Sequence, residues 1–174
     1  MVTPAEPTSE PDASLSDPHE LLSAYLDYYR ATLLRKLDGL PERELRSSRL
    51  PSGWTPLELL KHLAYVERRW LRWGFTGEPV DAPWGDEGAD GRWHVAADES
   101  AEAVRALYAD VCEDSRRIVA GASLGQISRS GGRFNPPDTH PALIWILLHL
   151  LQEYARHIGH LDVVRELADG MAGE

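Results

Sequence analysis

The sequence predicts an all-α fold, a four-helix bundle with long inter-helix loops, and three observations carry that prediction. Four segments place apolar residues at three- and four-residue spacing, each opens on a capping residue or a proline, and no segment alternates with period two as a half-buried strand does. The chain has 174 residues. That length suits one domain burying roughly 70% of the surface its unfolded form exposes, a core that needs neither a metal nor a disulfide to hold it.

Residues 1–16 are rich in Pro, Ser, Glu and Asp with almost nothing large and apolar, so they cannot offset the entropy of ordering. They are expected to be a disordered tail ahead of one domain at 17–174. Asp17-Pro18-His19-Glu20 combines an N-cap acid, a proline at the first helical position and a glutamate three residues after the cap. Leu22, Leu26, Tyr29, Leu33 and Leu37 follow with helical spacing, and Gly39 stops a first helix over 18–38. Thr55-Pro56-Leu57-Glu58 repeats the start signature, which puts a second helix over 56–73 with Gly74 beyond it. A loop with Trp84, Trp93, glycines and acids comes next. Asp98 or Ser100 can then cap a third helix, with Val104, Leu107, Tyr108, Val111 and Ile118 on one face and its end near Gly121. Gly131-Gly132 and Pro136-Pro137 mark 121–140 as loop. Pro141, in a first turn, opens the most apolar run of the chain, a fourth helix reaching about Ala168 before Gly170.

Composition excludes several functions. The formal net charge is −10, with basic residues scattered among acids, which repels a phosphate backbone and argues against nucleic acid as a partner. No basic region precedes an apolar run at the N-terminus, and no stretch approaches the ~20 apolar residues of a membrane span, so no membrane role is expected. Cys112 is the single cysteine. It allows no intramolecular disulfide, CxxC pair or cysteine zinc knuckle, and the expected compartment is the reducing cytoplasm. HExxH, GxSxG and a phosphate loop are all missing, and one Glu-x-x-x-His without a matching partner does not make a di-iron bundle.

Chemistry concentrates on the second and fourth helices. At ~100° per residue Leu59, His62, Leu63, Val66, Trp70 and Trp73 share one stripe, which turns His62 toward the core. On the fourth helix His157 lies about 40° from Glu153, and Leu143, Ile146, Leu150, Leu161 and Val164 lie within about 80° of it. A glutamate on an apolar stripe must be protonated, paired or bound to a cation. Glu153 and His157 project one above the other, and a histidine from a facing helix completes three N and O ligands around a divalent ion with a fourth position open. The competing possibility is a hydrogen-bonded core histidine at 62, with Glu153 paired to Arg69, Arg156 or His160. His149 and His160 border the stripe and serve as orienting groups, alternative ligands or surface residues. The six tryptophans read as core and loop anchors, although those of the 74–97 loop could line a bundle mouth.

Four segments carry a resemblance: Leu26-Asp27-Tyr28-Tyr29-Arg30, Pro51-Ser52-Gly53-Trp54-Thr55, Lys61-His62-Leu63, and Glu153-Tyr154-Ala155-Arg156-His157-Ile158-Gly159-His160. With these, residues 18–170 resemble the DinB/YfiT-like superfamily of metal-binding four-helix bundles, which includes mycothiol-dependent maleylpyruvate isomerase and thiol S-transferases. The resemblance implies a divalent metal held by His62, Glu153 and His157, with zinc the default and nickel, manganese or iron as competitors. It also implies a transferase or isomerase that uses a low-molecular-weight thiol such as mycothiol and an electrophile, and a homodimer. Many members carry histidine where this chain has Glu153, and the common Arg-Gly-Gln after the last ligand reads Ile158-Gly159-His160 here. That departure leaves the role of the third residue open, and His160 is the candidate catalytic residue behind the ligands. The alternative is a non-enzymatic, stress-associated bundle that binds a metal or ligand.

Deleting residues 1–16 should leave the melting temperature nearly unchanged, because that segment has no apolar anchors. A loss of several degrees in a thermal melt would give the tail a structural role.

Overall fold

The computed structural model describes residues 9–171, and among them it holds five helices and no strand. Each of the three expected N-caps is present at atomic level. Asp17 Oδ1 accepts the Glu20 N–H at 2.9 Å and opens α1, Pro18–Leu37. One turn, α2, covers Glu42–Leu45 in the connection, too short for any periodicity to announce it. Thr55 Oγ1 accepts the Glu58 N–H at 3.3 Å while Glu58 Oε2 accepts the Thr55 N–H at 2.8 Å, and this reciprocal box opens α3, Pro56–Glu67. Of the two candidate caps for the next helix it is Ser100 that accepts the Ala103 N–H, at 3.1 Å, and α4 is Ala101–Ala120. The longest helix, α5, is Leu143–Asp169 and closes on Gly170 at φ +78°.

Two boundaries differ from expectation. Pro141 lies outside α5 and Ala142 is its N-cap, because the preceding loop satisfies the helix start: Leu143 N–H donates to Gln126 O and Ile144 N–H to Leu124 O, both at 2.9 Å. More consequentially, the second helix does not stop at Trp73. It widens into a π-helix over Arg68–Phe75. The wide turns break the α-helical phase, so that Arg69, Leu71, Gly74 and Phe75 are buried while Trp70 and Trp73 are only half-buried. Residues 9–16 are largely exposed; residues 1–8 of the expected tail lie outside the described residues.

The helices close a ring in which α1 packs on α5, α5 on α3, α3 on α4 and α4 on α1. Leu26, Leu33, Leu59, Leu60, Leu63, Val104, Leu143, Ile146, Leu147, Leu150 and Leu161 fill the interior. In its midst is a charge that the stripe analysis passed over. Glu67, wholly buried at the end of α3, accepts Arg30 Nε at 2.8 Å and Nη2 at 2.7 Å, and the Tyr154 hydroxyl at 2.5 Å. Tyr108 and Tyr154 share a hydrogen bond at 2.8 Å, and Cys112 Sγ lies 3.7 Å from the same carboxylate. All four long helices therefore meet on one carboxylate. Burial lifts both tyrosines well above their ordinary pKa and pushes the Cys112 thiol up to about 12, so each stays protonated as a neutral donor.

Thr55→Ala should cost about 1 kcal/mol, since it removes one half of the box. Glu67→Gln should cost about 3 kcal/mol, because it leaves the buried Arg30 cation with only the half-exposed Asp27 carboxylate, 2.8 Å from its Nη1, and combining it with Arg30→Met should cost less than the two changes added together. Urea unfolding monitored by circular dichroism measures both; a silent Glu67→Gln would remove the carboxylate from its central place.

Candidate metal centre

His62 comes from the middle of α3 and Glu153 and His157 from α5, and one ligand atom of each lies within 4.8 Å of the others. Their side chains are 13%, 20% and 12% exposed, so they form the floor of an opening rather than a sealed core. Glu153 does not pair with Arg69 or Arg156. Its Oε2 is 3.2 Å from His157 Nε2 and its Oε1 is 3.5 Å from His149 Nε2. Hydrogen bonding from His157 holds the Glu153 carboxyl below its ordinary pKa, and it is ionised at neutral pH.

Arg69 is turned by the π segment toward the loop instead, where it meets Asp86. Its Nη1 lies 2.5 Å from Asp86 Oδ1 and its Nη2 3.1 Å from Oδ2. Asp86 is wholly buried, and Oδ2 also lies 3.0 Å from His62 Nδ1. Burial alone would raise the Asp86 pKa, but the hydrogen bonds from His62 and Arg69 outweigh it and hold the carboxyl below its usual range. An ionised carboxylate only accepts, so Nδ1 of His62 carries the proton and Nε2 keeps its lone pair. Burial lowers the His62 pKa against the opposing pull of Asp86, which keeps the ring neutral at pH 7. A carboxylate behind a neutral imidazole is the arrangement that fixes the tautomer and heading of a metal-binding histidine.

The loop that delivers Asp86 is a small hairpin. Glu87 bridges Trp93, the His94 N–H donates to Asp86 O at 2.8 Å, and Gly85 passes so close to Tyr65 that a Cβ would come within 2.5 Å of its hydroxyl oxygen. Lys61 clamps the far arm of this turn with Nζ 3.1 Å from His94 O and 2.8 Å from Glu99 Oε2. Adjacent residues of α3 thus hold the hairpin and face the opening. The hairpin sets Trp93 over the site, stacked on His62 at 4.0 Å between ring centroids and edge-on to His157 at 5.2 Å. Trp70 lies 4.3 Å from the His149 ring and 5.4 Å from Trp145 on the opposite rim. Trp93 and Trp70 are therefore walls of the opening, and the loop tryptophan expected to be an anchor is both. His160 is exposed and meets His157 edge-on at 6.1 Å.

The residues fit a divalent ion. Glu153 Oε2 and His157 Nε2 already face each other from one helix, and His62 faces them from another. The 3.2 Å spacing of Nε2 and Oε2 is close to the ~3.4 Å edge of a tetrahedron built on bonds of about 2.1 Å. Two imidazole nitrogens and one anionic oxygen would leave a further position facing the opening. Asp86 was not singled out from the sequence, Arg69 was weighed only as a partner for Glu153, and Trp93 only as one of the loop tryptophans that could line a bundle mouth; for Asp86 the signal available was only a run of Trp, Gly and Asp between two helices. A search of curated proteins gives no match. Residues 21–170 match the mycothiol S-transferase family, and the chain belongs to it.

Proposed function

We propose that this protein is a divalent-metal-dependent S-transferase that joins mycothiol to an electrophile at His62, Glu153 and His157. The observation that carries the proposal is the convergence of these three ligand atoms within 4.8 Å, at an open bundle mouth, in a chain of this family. Two nitrogens and a carboxylate suit zinc first, with nickel, manganese and iron able to compete.

An ion bound there supplies the Lewis acidity that makes a thiol a thiolate at neutral pH. The protein does the rest by holding groups still. Asp86 keeps His62 in one tautomer, and Glu153 is anionic before any ligand arrives. Trp93 and Trp70 shield the opening from bulk water on two sides, which strengthens every charge interaction inside it. A cleft of about 430 Å³ between Ser52–Trp54 and Asp90–His94 shares Trp93 with the site and has room for the body of the thiol. In the reaction a sulfur–carbon bond forms, the bond from carbon to its leaving group breaks with the pair departing on that group, and the thiol proton passes to solvent. His160, exposed beside His157, is the group placed to carry that proton. Cys112 cannot supply the sulfur: it is buried under Glu67, and its thiol is pushed up to about 12. Exposed Ile144, Leu148, Val163 and Leu167 along α5 support the expected homodimer.

Mycothiol and monochlorobimane mixed with metal-loaded protein should form the bimane conjugate above the background rate, and a chelator should abolish the excess. Background alone would reject the transferase and leave a metal-binding bundle. Ala at His62, Glu153 or His157 should each take bound metal from one ion per chain toward none in equilibrium dialysis with elemental analysis. His149→Ala and His19→Ala should leave it intact, His19 being bonded to Val119 O at 3.1 Å. Asp86→Asn should weaken the metal about tenfold or more without removing a ligand. Full stoichiometric binding after loss of His62 or His157 would overturn the assignment.

A further inference from the structure

Arg133 is a half-buried cation that forms no ion pair among the described residues. It is brought to the site region by the loop at 131–134, which packs onto the π segment: the Arg133 N–H donates to Trp73 O at 3.0 Å, and at Gly132 any Cβ would collide with that carbonyl group. The guanidinium lies 4.3 Å from the centroid of Trp70 and 5.8 Å from that of Trp84. Arg69 lies over the same Trp84 ring at 4.4 Å, but it is neutralised by Asp86. The buried Arg30 and Arg165 likewise donate to carboxylates or carbonyl oxygens. Arg133 has ring faces and no oxygen acceptor for its side chain among the described residues. Asp138 borders the same recess, yet it accepts the Asn135 N–H at 3.1 Å and forms no ion pair with Arg133.

A guanidinium carries five N–H donors in a planar fork. Partly stripped of water and left without an acceptor, it is a cost to the fold unless an anion from outside completes it. The recess holding it is about 440 Å³, lined by Trp73, Trp84, Phe134 and Thr139 besides Asp138, so the wall around the cation is largely aromatic. Trp70 connects this recess to the metal centre, because the His149 ring also lies 4.3 Å from it and His149 Nε2 is 3.5 Å from Glu153 Oε1.

We propose that Arg133 is the anion-binding residue of a substrate subsite, taking the carboxylate of a planar, unsaturated or aromatic electrophile whose body lies along Trp70 toward Glu153. This rests on the S-transferase reading for the identity of the ligand as the electrophile. A monoanionic carboxylate fits better than a phosphate dianion: one arginine faces it, Asp138 borders the recess, and the chain carries a net charge of −10.

Benzoate and the neutral isostere benzamide are titrated into the metal-loaded protein, without thiol, and followed by calorimetry and by tryptophan fluorescence. Benzoate should bind at least about tenfold more tightly than benzamide, as expected for a charge-assisted fork. Arg133→Gln should erase that preference, and Arg133→Lys should keep part of it. Equal affinity for the two ligands in the unaltered protein overturns the subsite whatever the variants do. So does an undiminished preference in a folded Arg133→Gln protein. Because no turnover enters the titration, benzoate binding through Arg133 with no bimane conjugate would sink the transferase and leave the subsite. Conjugate formation without benzoate preference would do the reverse.

Discussion

The rest of the molecule is arranged around the need to keep one buried carboxylate satisfied. A glutamate carboxyl group with no exposure is tolerated only with partners for its oxygens, and Glu67 obtains them from α1 through Arg30 and from α5 through Tyr154. Tyr108 of α4 completes the chain through Tyr154. Leucine contacts can slide by a methyl group with little loss; a bidentate arginine and a 2.5 Å hydroxyl contact cannot. The network therefore fixes the register of α5 against α3. That register sets His62 opposite Glu153 and His157, since Tyr154 adjoins one ligand and Glu67 lies five residues past another.

The other controlling feature is the π segment. Glu67 and Arg69 are both buried and charged, and they find partners in different places, the first in the core and the second in the loop at Asp86. The helix widens where this divergence occurs. Trp70 moves to the rim, and Gly74 leaves room for Phe134, which an added Cβ would meet at 3.1 Å. The loop at 131–134 can then lie along the widened turns and present Arg133. One local departure from α-helical geometry thus places Arg69 behind His62 and Arg133 beside Trp70.

Much of the fold was legible because helix ends obey local chemistry. Asp17, Thr55, Glu58 and Gly170 act through atoms within four residues of themselves, so their roles follow from the sequence alone. The three candidate ligands were legible in part, from helical spacing and from the cost of a carboxylate on an apolar stripe, and it was the family resemblance that favoured a metal there over a hydrogen-bonded core histidine. Asp86 was not, because its partners are 24 and 17 residues away and nothing in a loop of Gly, Asp and Trp says which acid is buried. Glu67 was missed although Leu63 precedes it by one turn, because the stripe was judged by its apolar members. The π widening escaped as well: α-helical arithmetic carried past Glu67 kept Trp70 and Trp73 in the core, where wide turns bury Leu71 and Phe75 instead.

The chemistry that remains open to such a site is narrowed by where its sulfur and charge can come from. Cys112 is the only thiol in the chain, and it lies under a carboxylate in the core with its pKa pushed up to about 12, so it provides neither a nucleophile nor a ligand. Any sulfur chemistry at His62, Glu153 and His157 must use a thiol that arrives from outside, which accords with a family defined by a thiol cosubstrate. Neutral His62 and anionic Glu153 would offset only part of the charge of a divalent ion, so the centre would attract a thiolate despite the net charge of −10. On the far side of Trp70 the half-buried Arg133 forms no ion pair among the described residues. With an ion at the first and Arg133 at the second, two positive foci separated by a tryptophan face would suit a pair of substrates that are themselves anionic where they bind, the thiolate at one and a carboxylate at the other.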